Sequence, residues 1–404
     1  MKRISFIWLS LLLATGIVAN NAKGNNNHDK KVVISGYIQT QLQYGQKDAS
    51  LYVGAKNENS NESFSRIGVR RGRVKLAYQE GLFSGVFQTD ITEKGVALKD
   101  AYISATAPTL YNSTLRAGVF NRPFGNEIEY SSSLREAPER SDIFRALFPD
   151  ERDLGAMITL QANETSTWSF LKLQAGLFAG NGINQETDSR KDFIGHLSAN
   201  AIRSRLVNIT LGSSYYIGGV YQSTEGVYRM TEGEFAANNS SNNIGKYAKR
   251  EYFGFDTQIG IKSRIGATSI KAEYLFGTQP GSNNSSKSPN SSSITVNDIY
   301  IRSFVGGYVA FTQQIGQSPI TFIAKYDWYD PNTKISGNAI GMSNTNATDI
   351  AYSTIGVGLL WQASSNIRMQ AYYDFVNNEE SENLTNYSAN RKDNLFTVRL
   401  QYKF

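Results

Sequence analysis

Residues 117–157 read AGVFNRPFGNEIEYSSSLREAPERSDIFRALFPDERDLGAM, and this stretch interrupts a chain of otherwise regular strands. Apolar residues alternate with other residues before it, at 115–119, and after it, at 154–160, which is the period of a β-strand with one apolar face. About thirty residues lie between these strands, whereas ordinary connections have about 4–6. They include Phe124, Ile128, Phe144 and Phe148. This apolar content predicts an ordered loop, not a solvated one.

The rest of the chain alternates in the same way. The sixteen predicted strands cover residues 32–44, 67–79, 83–91, 96–105, 114–121, 154–162, 168–179, 193–201, 207–215, 252–262, 269–276, 299–311, 320–328, 352–361, 367–376 and 395–404. Short polar turns alternate with long Asn/Ser-rich loops, at 218–250, 278–297, 331–349 and 377–393. An even strand number with short turns at one end and long loops at the other predicts an all-β, transmembrane antiparallel β-barrel over residues 23–404. A β-sandwich is disfavoured, since it needs two apolar inner faces and only 40% of the residues are hydrophobic.

The N-terminus carries an export signal. Met1-Lys-Arg precedes an apolar run from Ile4 to Val18, and small residues follow at Ala19 and Ala22, which predicts a signal peptide over residues 1–22. The run is shorter than the roughly 20 residues of a spanning helix. The chain has no cysteine, which excludes a lipoprotein anchor and a disulfide framework. We therefore expect the cell outer membrane.

Composition narrows the partners. The net charge is +6 and the isoelectric point about 9.1, which suggests anionic partners. The basic residues are spread over strands and not collected in a helix or arm, so nucleic acid is not expected. The 23 Tyr and 21 Phe fit the aromatic girdles of a barrel. No cofactor motif or metal-ligand spacing is present, and Ca²⁺ at loop carboxylates has no support from spacing.

Several motifs point to a known family. The stretch above contains Gly-x-Phe-x-x-Pro-Phe-Gly at 118–125, Glu-Arg-Ser at 139–141 and Arg-Asp-Leu-Gly at 152–155, and further matching strands lie at 271–277, 325–333 and 399–404. These motifs resemble the phosphate-selective porins of the O and P type. The resemblance implies a barrel of about 16 strands, a constriction loop at 123–152 that folds inward, a homotrimer, and passive diffusion of small anionic or hydrophilic solutes. A terminal aromatic residue, Phe404, looks like the signal that barrel-assembly machinery recognises.

The alternation also assigns the inner wall of the pore. Facing the lumen it places more cations than carboxylates, which favours anion passage. The predicted lumen cations are Arg71, Arg73, Lys75, Arg116, Lys172, Lys262, Lys271, Arg302, Lys325, Arg368, Arg399 and Lys403. The predicted lumen carboxylates are Asp90, Asp100, Asp256, Glu273, Asp327 and Asp374. Arg71, Arg73 and Lys75 are the strongest anion-binding candidates because they follow one another along one strand face. The alternative is a solvated wall neutralised by its carboxylates.

The constriction loop is more acidic than basic. Its arginines are Arg122, Arg135, Arg140, Arg145 and Arg152. Its carboxylates are Glu127, Glu129, Glu136, Glu139, Asp142, Asp150, Glu151 and Asp153. An acidic constriction favours cations, unless these carboxylates pair with wall arginines and leave an arginine facing the path.

Three other functions stay open. The many tyrosines permit a sugar or organic-solute channel with an aromatic track, although interface girdles explain most of them. A membrane hydrolase would depend on His196, with no accompanying serine motif. The long loops permit a surface adhesin or receptor.

Overall fold

A computed structural model describes residues 30–107, 113–186, 188–231, 233–289 and 297–404. The predicted signal peptide at residues 1–22 lies outside the described residues. In the described part of the chain, no helix has both the length and the apolar character needed to cross a membrane.

The structure is one continuous sheet with eighteen strands. The strands are β1 Lys30–Gly45, β2 Phe64–Glu80, β3 Phe83–Thr92, β4 Gly95–Ala107, β5 Ser113–Asn121, β6 Arg152–Gln161, β7 Leu171–Phe178, β8 Asp192–Arg203, β9 Val207–Tyr221, β10 Gly226–Thr231, β11 Glu234–Asn239, β12 Tyr247–Ser263, β13 Gly266–Gly281, β14 Ile299–Gln314, β15 Ile320–Asp330, β16 Tyr352–Gln362, β17 Ile367–Asn378 and β18 Leu395–Lys403. One short helix, α1, spans Asp142–Leu147.

Sixteen of these strands close into a barrel, as the sequence predicted. Neighbouring strands pair antiparallel from β1 to β9, β9 pairs with β12, and the series continues to β18, which pairs with β1. Closure matters because an unpaired strand edge cannot exist in lipid.

The loop after β9 differs from the prediction. The sequence indicated an unstructured loop at 218–250, but β9 continues to Tyr221, β12 begins at Tyr247, and β10 and β11 form a hairpin between them. Strand β10 also pairs in parallel with the start of β14. A small apolar cluster that includes Val220, Val227 and Ile299 is buried at this contact. Packing between loop and strand therefore extends the sheet where the polar composition predicted none.

The predicted face alternation is present in the barrel. Val74, Leu76 and Tyr78 of β2 are exposed on the outer surface, whereas Arg71 and Arg73 are buried inside. On β18 the outward side chains end with Phe404, which is 47% exposed and whose backbone pairs with Gly36. The recognition of Phe404 by assembly machinery remains a prediction.

Residues 122–151 connect β5 to β6 and lie inside the barrel. The loop contacts β1, β13 and β17 through Ser132, Glu127 and Arg135, respectively. These strands lie on different sides of the lumen, so the loop crosses it. We call this segment the inner loop.

The alternation makes a testable prediction at the midpoint of β8. Leu197 points outward and is 46% exposed, whereas the adjacent Ser198 faces the lumen. Leu197→Arg should destabilise the barrel by about 2–4 kcal/mol, because the charge would face hydrocarbon near the membrane midplane. The urea midpoint of protein folded into lipid vesicles measures this. Ser198→Arg is the matched control and should change the midpoint little; equal loss in both variants would contradict the assigned faces.

Candidate functional site: the inner loop

An apolar cluster seats the inner loop against the wall. Phe124, Ile128, Phe144, Leu147 and Phe148 of the loop are at most 1% exposed. On the wall, the cluster contains Tyr216, Tyr252, Leu275, Phe304, Tyr308 and Tyr329. Burial of each large side chain contributes roughly 2 kcal/mol. A hydrophobic core therefore holds the inner loop against the wall between β9 and β15.

The turn at the start of the loop is held by a wall carboxylate. Glu273 of β13 accepts backbone N–H groups from Asn126 at 3.0 Å and Glu127 at 2.6 Å, and the Tyr308 hydroxyl at 2.8 Å. Gly125 has φ +61°, and a Cβ there would lie 1.9 Å from the Glu273 carboxylate. Only glycine fits this backbone conformation and this close approach, which gives the Pro-Phe-Gly motif a physical reason.

The opposite wall binds the carbonyl groups of the loop. Arg368 of β17 donates to the Ser133 carbonyl at 2.8 Å, and Gln39 of β1 donates to the Ser132 carbonyl at 3.0 Å. Arg399 of β18 donates to the Pro138 carbonyl. The barrel wall thus supplies acceptors for loop N–H groups on the β13 side and donors for loop carbonyl groups on the side of β17, β18 and β1. These buried backbone groups therefore have hydrogen-bond partners.

Three arginines converge on Glu139. Arg70 binds both carboxylate oxygens at 2.9 Å, Arg71 binds one at 2.8 Å and Arg399 the other at 2.6 Å. Four charge-assisted bonds fill the acceptor capacity of a carboxylate.

The charge state of Glu139 follows from these contacts. Burial alone raises its pKa, but the charges of Arg70, Arg71 and Arg399 outweigh burial and hold the pKa well below its usual 4.5. Because the pKa of Glu139 is lower in the folded loop than in the unfolded chain, these ion pairs contribute their full stability above the usual pKa of 4.5. The contribution is lost as the pH falls from there through the lowered pKa. The anchor therefore stays charged throughout the neutral and mildly acidic range.

The end of the loop has an unusual backbone. Asp150 and Glu151 adopt positive φ angles of 59° and 67°, a region that costs energy for residues other than glycine. This conformation places the Glu151 carboxylate between Arg140 and Arg152. Arg152 also donates to Asp100 of β4 at 3.0 Å. The Asp150 side chain is 55% exposed and lies 4.0 Å from Lys99.

The predicted lumen cations fall into three groups. Those that bind the inner loop or its carboxylates are Arg71, Lys172, Lys271, Lys325, Arg368 and Arg399. Arg73 contacts Asp90 of the wall at 3.5 Å. Among the described residues, Lys75, Arg116, Lys262 and Lys403 have no carboxylate partner. Arg116 is partly exposed, and its guanidinium lies 4.4 Å from the Tyr102 ring centre.

One predicted position is wrong. Arg302 does not line a pore: it is 1% exposed and donates to Asp349 at 2.8 Å, because the outer loops fold over the end of β14. Arg122, one of the arginines assigned above to the constriction loop, lies at the start of the inner loop. It is fully buried, stacks on Phe148 and donates to the Pro149 carbonyl, so it closes the inner loop on itself.

The other loop arginines differ in their partners. Arg140 donates to the Glu127 carbonyl and pairs with Glu151. Arg145 pairs with Asp142 and is 40% exposed. Arg135 is 4% exposed, and none of its three guanidinium nitrogens has a hydrogen-bond partner among the residues that the structure describes.

His196 has no arrangement that suggests catalysis. It is buried on β8, and its Nε2 lies 2.9 Å from Asp256. Ser214, its partner across the strands, accepts the backbone N–H of Gly125. Over the described ranges, no three His, Asp or Glu side chains are placed to hold a metal ion.

Solved structures resemble this chain over 93–94% of its length. The outer membrane channel DcaP of Acinetobacter baumannii aligns with a TM-score of 0.57 at 13% identity, covering 93% of this chain and 97% of that one. The chain has the fold of the bacterial outer-membrane porins. OmpF of Salmonella typhi, in a complex with daunomycin, gives 0.57 at 11% identity, with 94% and 99% covered. The trimer form of OmpT of Vibrio cholerae gives 0.55 at 11%, with 93% and 99% covered.

No protein-family model matches the sequence, and no curated protein does. The fold and the apolar outer belt are those of an integral outer-membrane protein.

Sequence reasoning missed two lumen cations for one reason. Arg70 precedes the lumen residue Arg71, so strict alternation would place Arg70 on the outer face. A β-bulge in the pairing of β1 with β2 instead turns both side chains into the lumen. A second bulge between β3 and β4 turns Lys99 toward the lumen beside Asp100. An extra residue in one strand resets the alternation, and no turn residue in the sequence marks either bulge.

Glu139→Gln should loosen the inner loop without unfolding the barrel. The variant leaves three arginines, of which Arg71 and Arg399 are buried, without a charged acceptor, which costs about 3 kcal/mol, or a hundredfold in the local opening equilibrium. Amide hydrogen exchange across residues 126–148, in protein held in detergent micelles, measures this opening. Glu136→Gln is the matched control, because within the described ranges the Glu136 carboxylate binds only Lys271 and Tyr130. Unchanged protection in Glu139→Gln would contradict the anchor.

Proposed function

We propose that the protein is an outer-membrane porin that forms a passive diffusion channel for small hydrophilic solutes, with a preference for anions such as phosphate. The fold supports the channel, and the motif resemblance supports the oxyanion. The charges around the inner loop support the preference.

One observation carries the anion preference. Glu139, the loop carboxylate that could make the constriction acidic, is neutralised by three arginines, and Glu151 by two. Arg116, by contrast, has no carboxylate partner among the described residues and is partly exposed on the lumen wall. Its flat contact with Tyr102 and Phe120 leaves its charge unneutralised. A lumen in which the loop carboxylates are neutralised and one cation is unpaired favours the passage of anions over that of cations.

The zero-current potential across a KCl gradient tests this. Wild-type protein in planar lipid bilayers should show chloride preference, and added phosphate should reduce the current. Arg116→Gln should lower the anion-to-cation permeability ratio by about sixfold, because one charge roughly 8 Å away in water shifts the energies of an anion and a cation by about 0.5 kcal/mol each, in opposite directions. Arg203→Gln, at an exposed turn, is the control. Cation preference in wild type would overturn the anion proposal, and absence of conductance would overturn the channel itself.

The alternatives are less well supported. An aromatic sugar track needs exposed lumen rings, but Tyr216, Tyr252 and Phe304 are at most 2% exposed, and Tyr102 and Tyr352 are partly buried against the same cluster. A hydrolase needs an accessible nucleophile, and Ser214 is engaged by the inner loop. The adhesin hypothesis rests on loop length alone.

We also propose a homotrimer that associates through strands β4 to β7. Aromatic side chains are exposed outside β12, β13, β15 and β18, as lipid interfaces require. The exposed large apolar side chains of β4 to β7 are all aliphatic. An apolar groove runs beside them, where Gly85, Ala101 and Ala117 leave space below Phe87 and Ile103. A second barrel fits such a face better than a headgroup layer does.

Ala117→Trp should therefore prevent assembly, because the indole would fill the groove. Native mass spectrometry in detergent is expected to give a trimer for wild type and a monomer for this variant. Ala199→Trp on β8 is the control, since it lies outside the proposed face. A trimer in both variants would contradict the assignment of the face.

A further inference from the structure

Two adjacent turns at the short-turn end of the barrel share a pattern of residues. Residues 204–206 join β8 to β9, and residues 264–265 join β12 to β13. Each turn contains an arginine followed by an aliphatic residue, Arg205-Leu206 in the first and Arg264-Ile265 in the second. Strand β9 pairs with β12, and since neighbouring strands lie about 4.8 Å apart, the two turns are about 10 Å apart. We call these four residues the basic rim.

The basic rim concentrates positive charge. Both arginines are exposed, and the exposed Lys262 lies beside them, because its backbone N–H donates to the Leu206 carbonyl at 2.8 Å. Among the described residues, none of these three cations has a carboxylate partner. Arg203 at the end of β8 is different, since it lies 3.9 Å from Glu164. Like charges repel one another, so an anion bound at the rim would stabilise this arrangement.

The concentration of charge is local to these two turns. Four other turns at the same end of the barrel are described, and none of them contains a lysine or an arginine. They are residues 81–82, 162–170, 315–319 and 363–366. The cations of the basic rim are therefore not a general feature of the short turns.

The aliphatic members place the rim at the edge of the apolar outer belt. Leu206 is 60% exposed and Ile265 is 71% exposed. On the outer face of β12 the apolar series reaches Ile261, three residues before Arg264. The outer apolar side chains of a barrel face hydrocarbon, so the end of the belt lies at the level of the lipid headgroups. Short turns of such barrels lie on the periplasmic side, which assigns the rim to the periplasmic leaflet.

We propose that the basic rim binds anionic phospholipids of the periplasmic leaflet, with the headgroup phosphate on Arg205 and Arg264 and the acyl chains against Leu206 and Ile265. The fork of donors in arginine matches the oxygens of a phosphate group, and clustered basic residues at a membrane surface attract anionic lipids. An acidic peptide would also neutralise the arginines, but the exposed aliphatic neighbours favour a ligand that carries acyl chains.

The rim remains accessible to lipid in the proposed trimer. It lies at the ends of β8, β9, β12 and β13, outside the face formed by β4 to β7. Binding there does not require that the barrel conducts ions.

Native mass spectrometry of the protein in detergent micelles, titrated with phosphatidylglycerol or phosphatidylcholine, tests this binding. Wild type should bind phosphatidylglycerol more tightly than phosphatidylcholine. The double variant Arg205→Gln/Arg264→Gln should raise the apparent Kd for phosphatidylglycerol about thirtyfold, since each arginine near an anionic surface contributes about 1 kcal/mol and about 1.4 kcal/mol is a factor of ten. Its affinity for phosphatidylcholine should not change.

Matched variants make the result specific. Arg229→Gln/Lys246→Gln removes two exposed cations at the long-loop end and should bind phosphatidylglycerol as wild type does. Arg205→Lys/Arg264→Lys keeps both charges and should retain most of the preference for phosphatidylglycerol, which separates loss of charge from loss of folding. Leu206→Ser/Ile265→Ser also keeps both charges and should weaken the binding of phosphatidylglycerol through loss of the acyl-chain contact.

Three results would overturn the lipid site. The first is equal affinity of wild type for the two lipids, and the second is an unchanged affinity for phosphatidylglycerol in Arg205→Gln/Arg264→Gln. The third is binding of a soluble anion to the rim at least as tightly as phosphatidylglycerol. Inorganic phosphate in that role would indicate a site for free anions, and hexaglutamate would indicate an acidic protein partner.

Discussion

A polypeptide segment inside a barrel must have every backbone donor and acceptor satisfied, and this requirement organises the lumen. In the inner loop the two sets of groups face opposite walls. Wall carboxylates such as Glu273 accept the loop N–H groups, and wall arginines and glutamines such as Arg368 and Gln39 donate to its carbonyls. The wall therefore carries hydrogen-bond acceptors on one side of the lumen and donors on the other, because the loop backbone needs both.

This polarity changes the meaning of a basic pore wall. A row of cations on one face of a strand invites the interpretation of a track for anions. Here Arg71 and Arg399 are used to hold Glu139, and Arg368 to hold backbone carbonyls. What distinguishes the side chains available to a solute is the absence of a partner, not their position on the lumen face. On the proposed function, selectivity then depends on a few residues, with Arg116 foremost.

Much of the fold could be predicted from sequence, because lipid on one side and polar groups on the other impose a period of two. The aromatic content of the inner loop predicts that the loop is ordered. It does not predict which part of the barrel wall the loop packs against. The sequence does contain an indication of the packing site. Three adjacent aromatic pairs break the alternation of the strands: Tyr215-Tyr216, Tyr252-Phe253 and Trp328-Tyr329. One member of each pair, on the lumen side, is buried against or beside the inner loop. A strand apolar on both faces indicates a filled lumen.

The charge partners could not be predicted in the same way. Alternation gives the face of a residue, whereas pairing depends on the path of a thirty-residue loop and on bulges at Arg70 and Lys99 that alternation cannot register. The outer-membrane proteins compared above share only 11–13% sequence identity with the chain. A barrel needs only alternating apolar and polar positions, so its fold persists at such low identity.

Because the same arginines both anchor the loop and set the charge of the lumen, a change at Glu139 alters loop position and selectivity together. Only residues outside the anchor can separate the two effects. Arg116 is such a residue: among the described residues its guanidinium has ring contacts but no hydrogen-bonded or ion-pair partner. Its removal therefore reports on solutes more directly than removal of any paired cation in the lumen.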